Sequence, residues 1–390
     1  MGLIANIRNR IKNKTVTVTS YRMITDEGSG FYAFDGKLYK SDIIRAAIRP
    51  KARAIGKAVG KHIRETVKQD NTRDIAVNPD VYLRFLLEEP NEWMTGQMLQ
   101  EKLAIQLELN NNAFAYIDRD PNGLARAIYP LNASHCEALQ DSAGKLYIKF
   151  SRPNGKTVTL AYSDLIHLRK DFNSNDIFGD STAGVLTPLM EVITTTDQGI
   201  VKAIKNSMVI RWLLKFHSNL RKEDIEQAVK DFAKSFLDTE GDGTGVAGVD
   251  SKADAIQLEN KEYVPNAAQM GSTTKRLYAH FNTNEKIVHG SYTEDEWISY
   301  FESAVEPDII QLSNEYTRKI FSRRERGFGN KIIFEASSLA FASMATKMNL
   351  VQLVDRGIMV PNEMRAIFNW APIPGGDQPI RRLDTRPTTE

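Results

Sequence analysis

The sequence predicts an α+β fold divided into more than one structural region, and three observations carry that prediction. The chain has 390 residues, beyond the size at which a single core keeps growing. Runs of β-branched and aromatic residues, punctuated by turns such as Asp120-Pro121-Asn122-Gly123 and Pro153-Asn154-Gly155, alternate with stretches of helical periodicity. Two helical stretches, at 187–207 and 266–281, bracket a compact mixed insert over 209–264.

The elements follow in order. Residues 1–40 read as a basic lead-in followed by short strands, with Thr15-Val16-Thr17-Val18-Thr19 alternating as a strand does. Residues 41–68 read as a helix, kinked or started late at Pro50. Arg45, Arg49, Arg53, Lys57 and Lys61 recur every four positions as one basic stripe, and Ile44, Ile48, Ile55, Val59 and Ile63 supply the apolar face. Thr95 is the N-cap of a buried helix from Gly96 to about Asn110. Strands follow at Ala113–Ile117 and from Ala127 to Leu131, and 146–150 with 157–160 form a hairpin. This region is α+β with a mostly antiparallel sheet.

Thr187-Pro188, an N-cap with a first-turn proline, opens a helix to about Ser207, roughly 30 Å long at 1.5 Å per residue. Within the insert, 209–214 reads as a strand and Leu220–Leu237 as an amphipathic helix with Ile225, Val229, Phe232 and Phe236 on one face. Gly241–Gly245 is a flexible loop, and 255–258 closes the insert. After a shorter helix over 266–281, the polar segment 282–292 lacks apolar periodicity and reads as a loop. Thr293-Glu294-Asp295-Glu296 is a capping box that starts a long helix kinked at Pro307. A strand at 331–334, helices at 341–356 and 362–369, and a Pro-, Gly- and Arg-rich tail complete the chain, with no internal repeats.

Composition narrows the classes. A hydrophobic share of 42% with 26% charged residues excludes global disorder. The single cysteine, Cys136, excludes an intrachain disulfide and a zinc ribbon, and reads as a reduced, half-buried thiol of a cytosolic protein. The start lacks a signal-peptide apolar run, Asn6 stands where a myristoylation motif wants Ser or Thr, and no run of about 18 apolar residues predicts a membrane span. Net charge is +2, but residues 1–68 carry 15 basic and 5 acidic groups, while the remainder carries 36 and 44. A basic arm on an acidic body suits nucleic acid or another polyanion, and equally a solvated face or a subunit contact.

Signatures of enzyme chemistry are missing from the pattern. Gly56-Lys57-Ala58-Val59-Gly60-Lys61-His62 lacks phosphate-loop spacing and a preceding strand, and the glycines at 241–248 lack a lysine followed by Ser or Thr. The histidines at 62, 135, 167, 217, 280 and 289 show no metal spacing, and His135 and Cys136 face opposite ways on a strand. Asp118 and Asp120 could form an acid pair for a packaging nuclease, the alternative reading, but Pro121-Asn122-Gly123 makes them turn residues. No metal, cofactor or catalytic residue is expected.

The order of motifs resembles the portal proteins of tailed phages with long non-contractile tails, over nearly the whole chain. Ser41–Arg49 is similar to the family's early helix. Pro90-Asn91, Met94-Thr95 and Asn111-Asn112-Ala113-Phe114-Ala115-Tyr116-Ile117 resemble its "PN…MT…GNAY" segment, with Asn111 where glycine is common. Tyr162–Leu168 is similar to the strand before the family's central helix, and Phe178-Gly179-Asp180-Ser181 resembles the "GxSPL" region, with Pro188-Leu189 later than usual. Thr283-Asn284-Glu285 replaces the family's "GVP" turn, while Asn362–Arg365 and Gly375-Gly376-Asp377 resemble its C-terminal signature.

The resemblance implies a subunit with an α/β wing, a two-helix stem, a small α/β clip and a helical crown. The wing would be 1–185 and 293–340, the stem helices 186–208 and 266–281, the clip 209–265, the tunnel loop 282–292 and the crown 341–390. Twelve such subunits would ring one capsid vertex, giving double-stranded DNA a non-specific, transient path. Stem residues Lys202, Lys205, Lys275 and Arg276 and loop residues Asn284, Glu285, Lys286 and His289 would face the DNA. Twelve helices about 10 Å wide leave a bore of roughly 25–30 Å, wide enough for a duplex. Arg221, Lys222, Glu223, Glu226, Lys230 and Asp242 would face the terminase large subunit, which supplies ATP hydrolysis. The other implied partners are the major capsid and scaffold proteins and a head-tail adaptor, with no membrane. Assembly in the host cytoplasm and residence in the virion follow. A capsid-scaffold module using the 45–61 stripe is a further alternative.

Overall fold

The structure, a computed structural model, describes residues 16–22, 38–67, 73–151, 155–173, 176–207, 212–216, 221–236, 253–257, 267–335, 344–368 and 370–380. The chain divides into two compact units, one of residues 1–190 and 274–390, the other of residues 191–273.

The larger unit is built on three antiparallel sheets. In the first, β1 (Val16–Arg22) pairs with β6 (His135–Gln140), which pairs with β7 (Leu146–Ser151) and then β8 (Thr157–Ala161). The second has β2 (Val59–Val67) between β3 (Arg73–Val77) and β12 (Asn330–Glu335). The third has β4 (Asn112–Arg119) between β5 (Ala125–Pro130) and β9 (Leu165–Arg169). Phe114, Cys136, Ala138, Ile148, Phe150, Leu165 and Phe178 pack together as a core between the first and third sheets. Cys136 is fully buried there, not half-buried as expected, and burial pushes its thiol pKa up.

Helices α1 (Asp42–Gly56), α2 (Val81–Glu88) and α3 (Gly96–Asn110) belong to this unit. The Thr95 side chain caps α3 by accepting from Met98 N at 3.4 Å, as the sequence predicts. At its other end Asn111 has φ +52°, a left-handed conformation that asparagine and glycine reach most easily. That explains an asparagine at a position where glycine is common.

The predicted helix over 41–68 is a correction: it stops at Gly56, and β2 begins at Val59. A four-residue spacing is close to one helical turn but also equals two strand repeats, so the stripe could not mark the change. Three of its members, Arg45, Arg49 and Arg53, share the exposed face of α1. Lys57 is the C-cap, and Lys61 lies on β2, paired with Glu335 at 3.0 Å. Pro50 sits inside α1, so the late start does not occur.

The smaller unit holds an antiparallel pair, β10 (Trp212–Phe216) with β11 (Ala253–Gln257), and the helix α5 (Lys222–Phe236). The predicted strand over 209–214 is seen from Trp212 and runs on to Phe216, while residues 209–211 and the glycine loop 241–245 with Asp242 lie outside the described residues. The unit boundaries fall within two helices, α4 (Ala183–Ser207) and α6 (Ala267–His280). Helix α4 starts four residues before the predicted Thr187-Pro188 cap. The Thr182 carbonyl takes the first helical bond from Leu186 N at 2.9 Å, and the Thr182 hydroxyl donates to Leu109 O at 2.6 Å. A contact to α3, invisible in local sequence, sets that start.

The segment 282–292 contains a one-turn helix, α7 (Glu285–His289), where a loop was expected. Asn284 caps it by accepting from Ile287 N at 3.1 Å, and Gly290 ends it at φ +71°. Ile287 alone is buried, so no periodicity could signal it. The capping box at Thr293 and Glu296 is present and opens α8 (Glu294–Tyr300). The long helix that follows is interrupted by a wider π turn at Phe301–Val305 before α9 (Glu306–Ile320). Pro307 has no N–H to offer Ser303, and the Ser303 hydroxyl donates back to Ser299 O at 2.7 Å. Short helices α10 (Arg323–Gly327), α11 (Met344–Asp355) and α12 (Pro361–Ile367) complete the order.

Candidate functional site

Two buried polar clusters organise the larger unit. In the first, α1, α3 and α9 meet around Lys51, whose ammonium lies 2.7 Å from Glu108 and 2.8 Å from Asp308. Lys170 joins from beyond β9, 2.7 Å from Glu108. Lys51 is 3% exposed, so the interaction operates in a low dielectric. Burial opposes the charged lysine, but the Glu108 and Asp308 carboxylates outweigh it and hold its pKa above the usual value. Burial likewise opposes the Glu108 carboxylate, and the two ammonium groups overcome it and lower its pKa.

The second cluster explains the Asn111–Ile117 motif. The Asn112 carbonyl oxygen accepts from His167 Nε2 at 3.0 Å and from Gly179 N at 2.9 Å, and its amide donates to Asn110 O and Gly179 O. With Nε2 donating, His167 Nδ1 accepts from the Tyr162 hydroxyl at 3.2 Å. Burial, reinforced by Arg169, Lys319 and Arg318, holds the His167 pKa well below its ordinary value. Both ring nitrogens are engaged in a neutral imidazole that stacks on Phe114. This is a structural histidine holding β4, β9 and the Gly179 turn together. A Cβ on Gly179 would stand 2.2 Å from Lys170 O and 2.5 Å from Asn111 O, so only glycine fits.

The sequence-predicted residues fall into separate places. Lys202 on α4 and Lys275 and Arg276 on α6 are exposed and make no ion pair among the described residues. Lys205 is on α4, with its side chain outside the described residues. Asn284, Glu285, Lys286 and His289 are all exposed on or beside α7. Lys286 pairs with the capping-box carboxylate of Glu296, and His289 Nδ1 donates to Glu285 O at 2.9 Å. Arg221, Lys222, Glu223, Glu226 and Lys230 lie exposed at the start and along α5.

The acid pair does not form a site. Asp118 is buried and held 2.5 Å from Arg126, while Asp120 accepts from Asn122 N and Leu124 N and so closes its own turn. No cluster of metal-ligating residues occurs among the described residues. Sequence reasoning missed Lys51, Glu108 and Asp308. The one available signal was a lysine and a glutamate at positions that the helical period puts on apolar faces.

Comparison with known proteins gives the architecture a family. The family model described as "Phage portal protein" matches residues 42–369. The portal protein of Enterobacteria phage HK97 is 21% identical over 336 residues, covering 84% of this chain and 78% of that protein. The probable portal protein of Lactococcus phage p2 is 25% identical over 260 residues, 61% of this chain and 65% of the relative. Among solved structures, a chain from the neck of an empty GTA particle, computed with C6 symmetry, superposes with a TM-score of 0.66 at 11% identity. That match covers 92% of this chain and 97% of the other. A chain from the neck of a native GTA particle, computed with C12 symmetry, gives 0.63 at 12% identity over 95% and 99%. An HK97-family phage portal protein from Corynebacterium diphtheriae gives 0.50 at 13% identity over 80% and 98%. At these identities the structural matches speak for the fold, and the family model speaks for descent: this chain belongs to the phage portal protein family.

Proposed function

We propose that the protein is one subunit of a ring, of twelve copies, that forms the channel for double-stranded DNA at a single vertex of a phage head. The observation that carries this reading is the family match over residues 42–369. It is joined by a fold shared with a neck chain computed with C12 symmetry over 95% of this chain. The ring is the docking platform for the terminase motor, the head-tail adaptor and the capsid and scaffold proteins. ATP hydrolysis belongs to the motor, and the subunit is a conduit.

The division of labour runs along the chain. Residues 1–185 and 293–340 act as the wing, 282–292 as the tunnel loop and 341–390 as the crown. The clip reading for 209–265 is supported by the compactness of residues 191–273 as a unit of their own. The stem reading for 186–208 and 266–281 is supported by α4 and α6, which lead into and out of that unit. In this reading Lys202, Lys205, Lys275 and Arg276 face the bore. So few cations suit a conduit, because each neutralised phosphate adds salt-sensitive adhesion that would retard a moving duplex. Among the described residues no helix is long and apolar enough to cross a membrane. Assembly takes place in the host cytoplasm and the ring stays in the virion.

Sedimentation velocity and electron microscopy of the purified protein test this. Twelve chains of 43.9 kDa give a particle of about half a megadalton with an open central channel. Monomers at every concentration, or a ring with no bore, would overturn the reading. The nuclease alternative needs metal-dependent cleavage abolished by Asp120→Asn, and the turn-closing role of Asp120 argues against it.

A further inference from the structure

The larger unit carries two unpaired charge stripes of opposite sign. On α1, Arg45, Arg49 and Arg53 are exposed over about 12 Å of helix. Arg49 and Arg53 make no hydrogen bond or ion pair among the described residues, and Arg45 reaches only its own Lys40 carbonyl. On the α8, π-turn and α9 run, Asp295, Glu302 and Glu306 are exposed over about 16 Å and are equally without partners among the described residues. Ile298 and Ile310 stand exposed among these carboxylates, 46% and 53% open.

The buried cluster fixes how the stripes face. Lys51 on α1 pairs with Asp308 on α9 as well as with Glu108 on α3, so Lys51 and Asp308 mark the sides of their helices turned toward the shared cluster. At about 100° per residue, Arg49 and Arg53, two positions either side of Lys51, point about 160° away from that contact. Glu306 and Ile310, two positions either side of Asp308, likewise point about 160° away from α1. Across the buried cluster, Arg49 and Arg53 of the basic stripe look away from α9, and Glu306 of the acidic stripe looks away from α1. The two stripes make no ion pair with each other within the chain among the described residues. Two different, complementary faces on opposite sides are what a head-to-tail ring requires of each subunit.

We propose that the α1 basic stripe of one copy docks on the acidic stripe of α8–α9 of the next copy, forming a subunit interface of the ring. This inference rests on the ring reading above and adds which surfaces close it. The occupant of each stripe is a second copy of this chain. Opposite charge, three exposed groups on each stripe, favours it over nucleic acid, which would account for the arginines and leave the carboxylates unpaired.

Charge reversal tests the docking. In about 0.1 M salt, Arg49→Glu/Arg53→Glu and Glu302→Arg/Glu306→Arg should each raise the concentration for half-assembly by more than about tenfold. A chain carrying all four changes should assemble as the unmodified protein does, because every interface regains opposite charges. A second measurement does not depend on that rescue. With Cys136 buried, Arg49→Cys/Glu302→Cys offers two reactive thiols, and a short bismaleimide should join assembled copies into a ladder of multiples of 43.9 kDa. Either reversed pair assembling normally, or no ladder from assembled rings, overturns the proposal. Arginine-reversed chains that assemble but lose DNA affinity overturn it and assign the stripe to DNA. If the unmodified chain never assembles, the ring reading itself fails, a distinct outcome.

Discussion

Replacing Lys51 by methionine keeps most of the side-chain volume and removes the charge that two carboxylates share. At an effective dielectric of about 20, unit charges 2.8 Å apart interact by about 6 kcal/mol, much of it offset by desolvation. Removing one member of a buried pair costs about 3–5 kcal/mol, because the remaining charge is stranded. Lys170 still holds Glu108 at 2.7 Å, so the stranded group is Asp308, with a side chain 9% exposed. The expected loss is therefore about 3 kcal/mol at pH 7, read from the urea unfolding midpoint and slope.

The pH dependence carries the sign. Glu108 is held below its usual 4.5, so its contribution is present above that value and is lost as pH falls through the lowered one. Lys51 is held above 10.5, so its contribution is present below that value and is lost as pH rises through the raised one. The cluster is at full strength between these limits. In Lys51→Met, Glu108 keeps only Lys170 against its burial and takes up its proton at higher pH than in the parent, so the gap to the parent should narrow as pH falls toward 4. Adding Asp308→Asn should recover about 1 kcal/mol or more, a non-additivity that marks the contact. A loss below about 1 kcal/mol, or a gap unchanged down to pH 4, would refute the reasoning.

Two further outcomes are expected. Gly179→Ala should cost about 3 kcal/mol, since its Cβ would stand 2.2 Å from a backbone oxygen. Gly184→Ala, with nothing within 4 Å on helix α4, should be neutral or slightly stabilising, and paired thermal melts compare them. Lys319, buried on α9 with its ammonium against Tyr162, has its pKa lowered to about 8 by burial, with Arg318 and Arg119 adding to the effect against Glu315 and Asp164. The unfolded chain keeps its proton up to about 10.5, so stability should rise relative to Lys319→Met between pH 8 and 10.5. A flat difference across that range would contradict the burial.

Features written over a few residues were legible in the sequence. Thr95 and the Thr293–Glu296 box cap helices as their chemistry dictates, and the Pro-Asn-Gly signal sits between β7 and β8, which pair as predicted. Pro307 signalled an interruption, and the structure realises it as a wider π turn. Motif order over some 300 residues was enough to suggest the family, because covalent neighbours carry those patterns.

The remainder depended on partners distant in sequence. The end of α1 and the start of β2 were decided by β12, more than 260 residues away, which pairs with Val59–Arg64, while the nearby β3 pairs with Ile63–Val67. Helix α4 begins early because Thr182 reaches Leu109. Lys51 reads locally as one more cation on a basic helix. It became the centre of a buried cluster only when α3 and α9 brought Glu108 and Asp308 to it. Local sequence determined which segments could be helix, strand or turn. Tertiary contacts decided which charges were buried and which faced outward, because desolvation and pairing depend on neighbours that only the folded chain assembles.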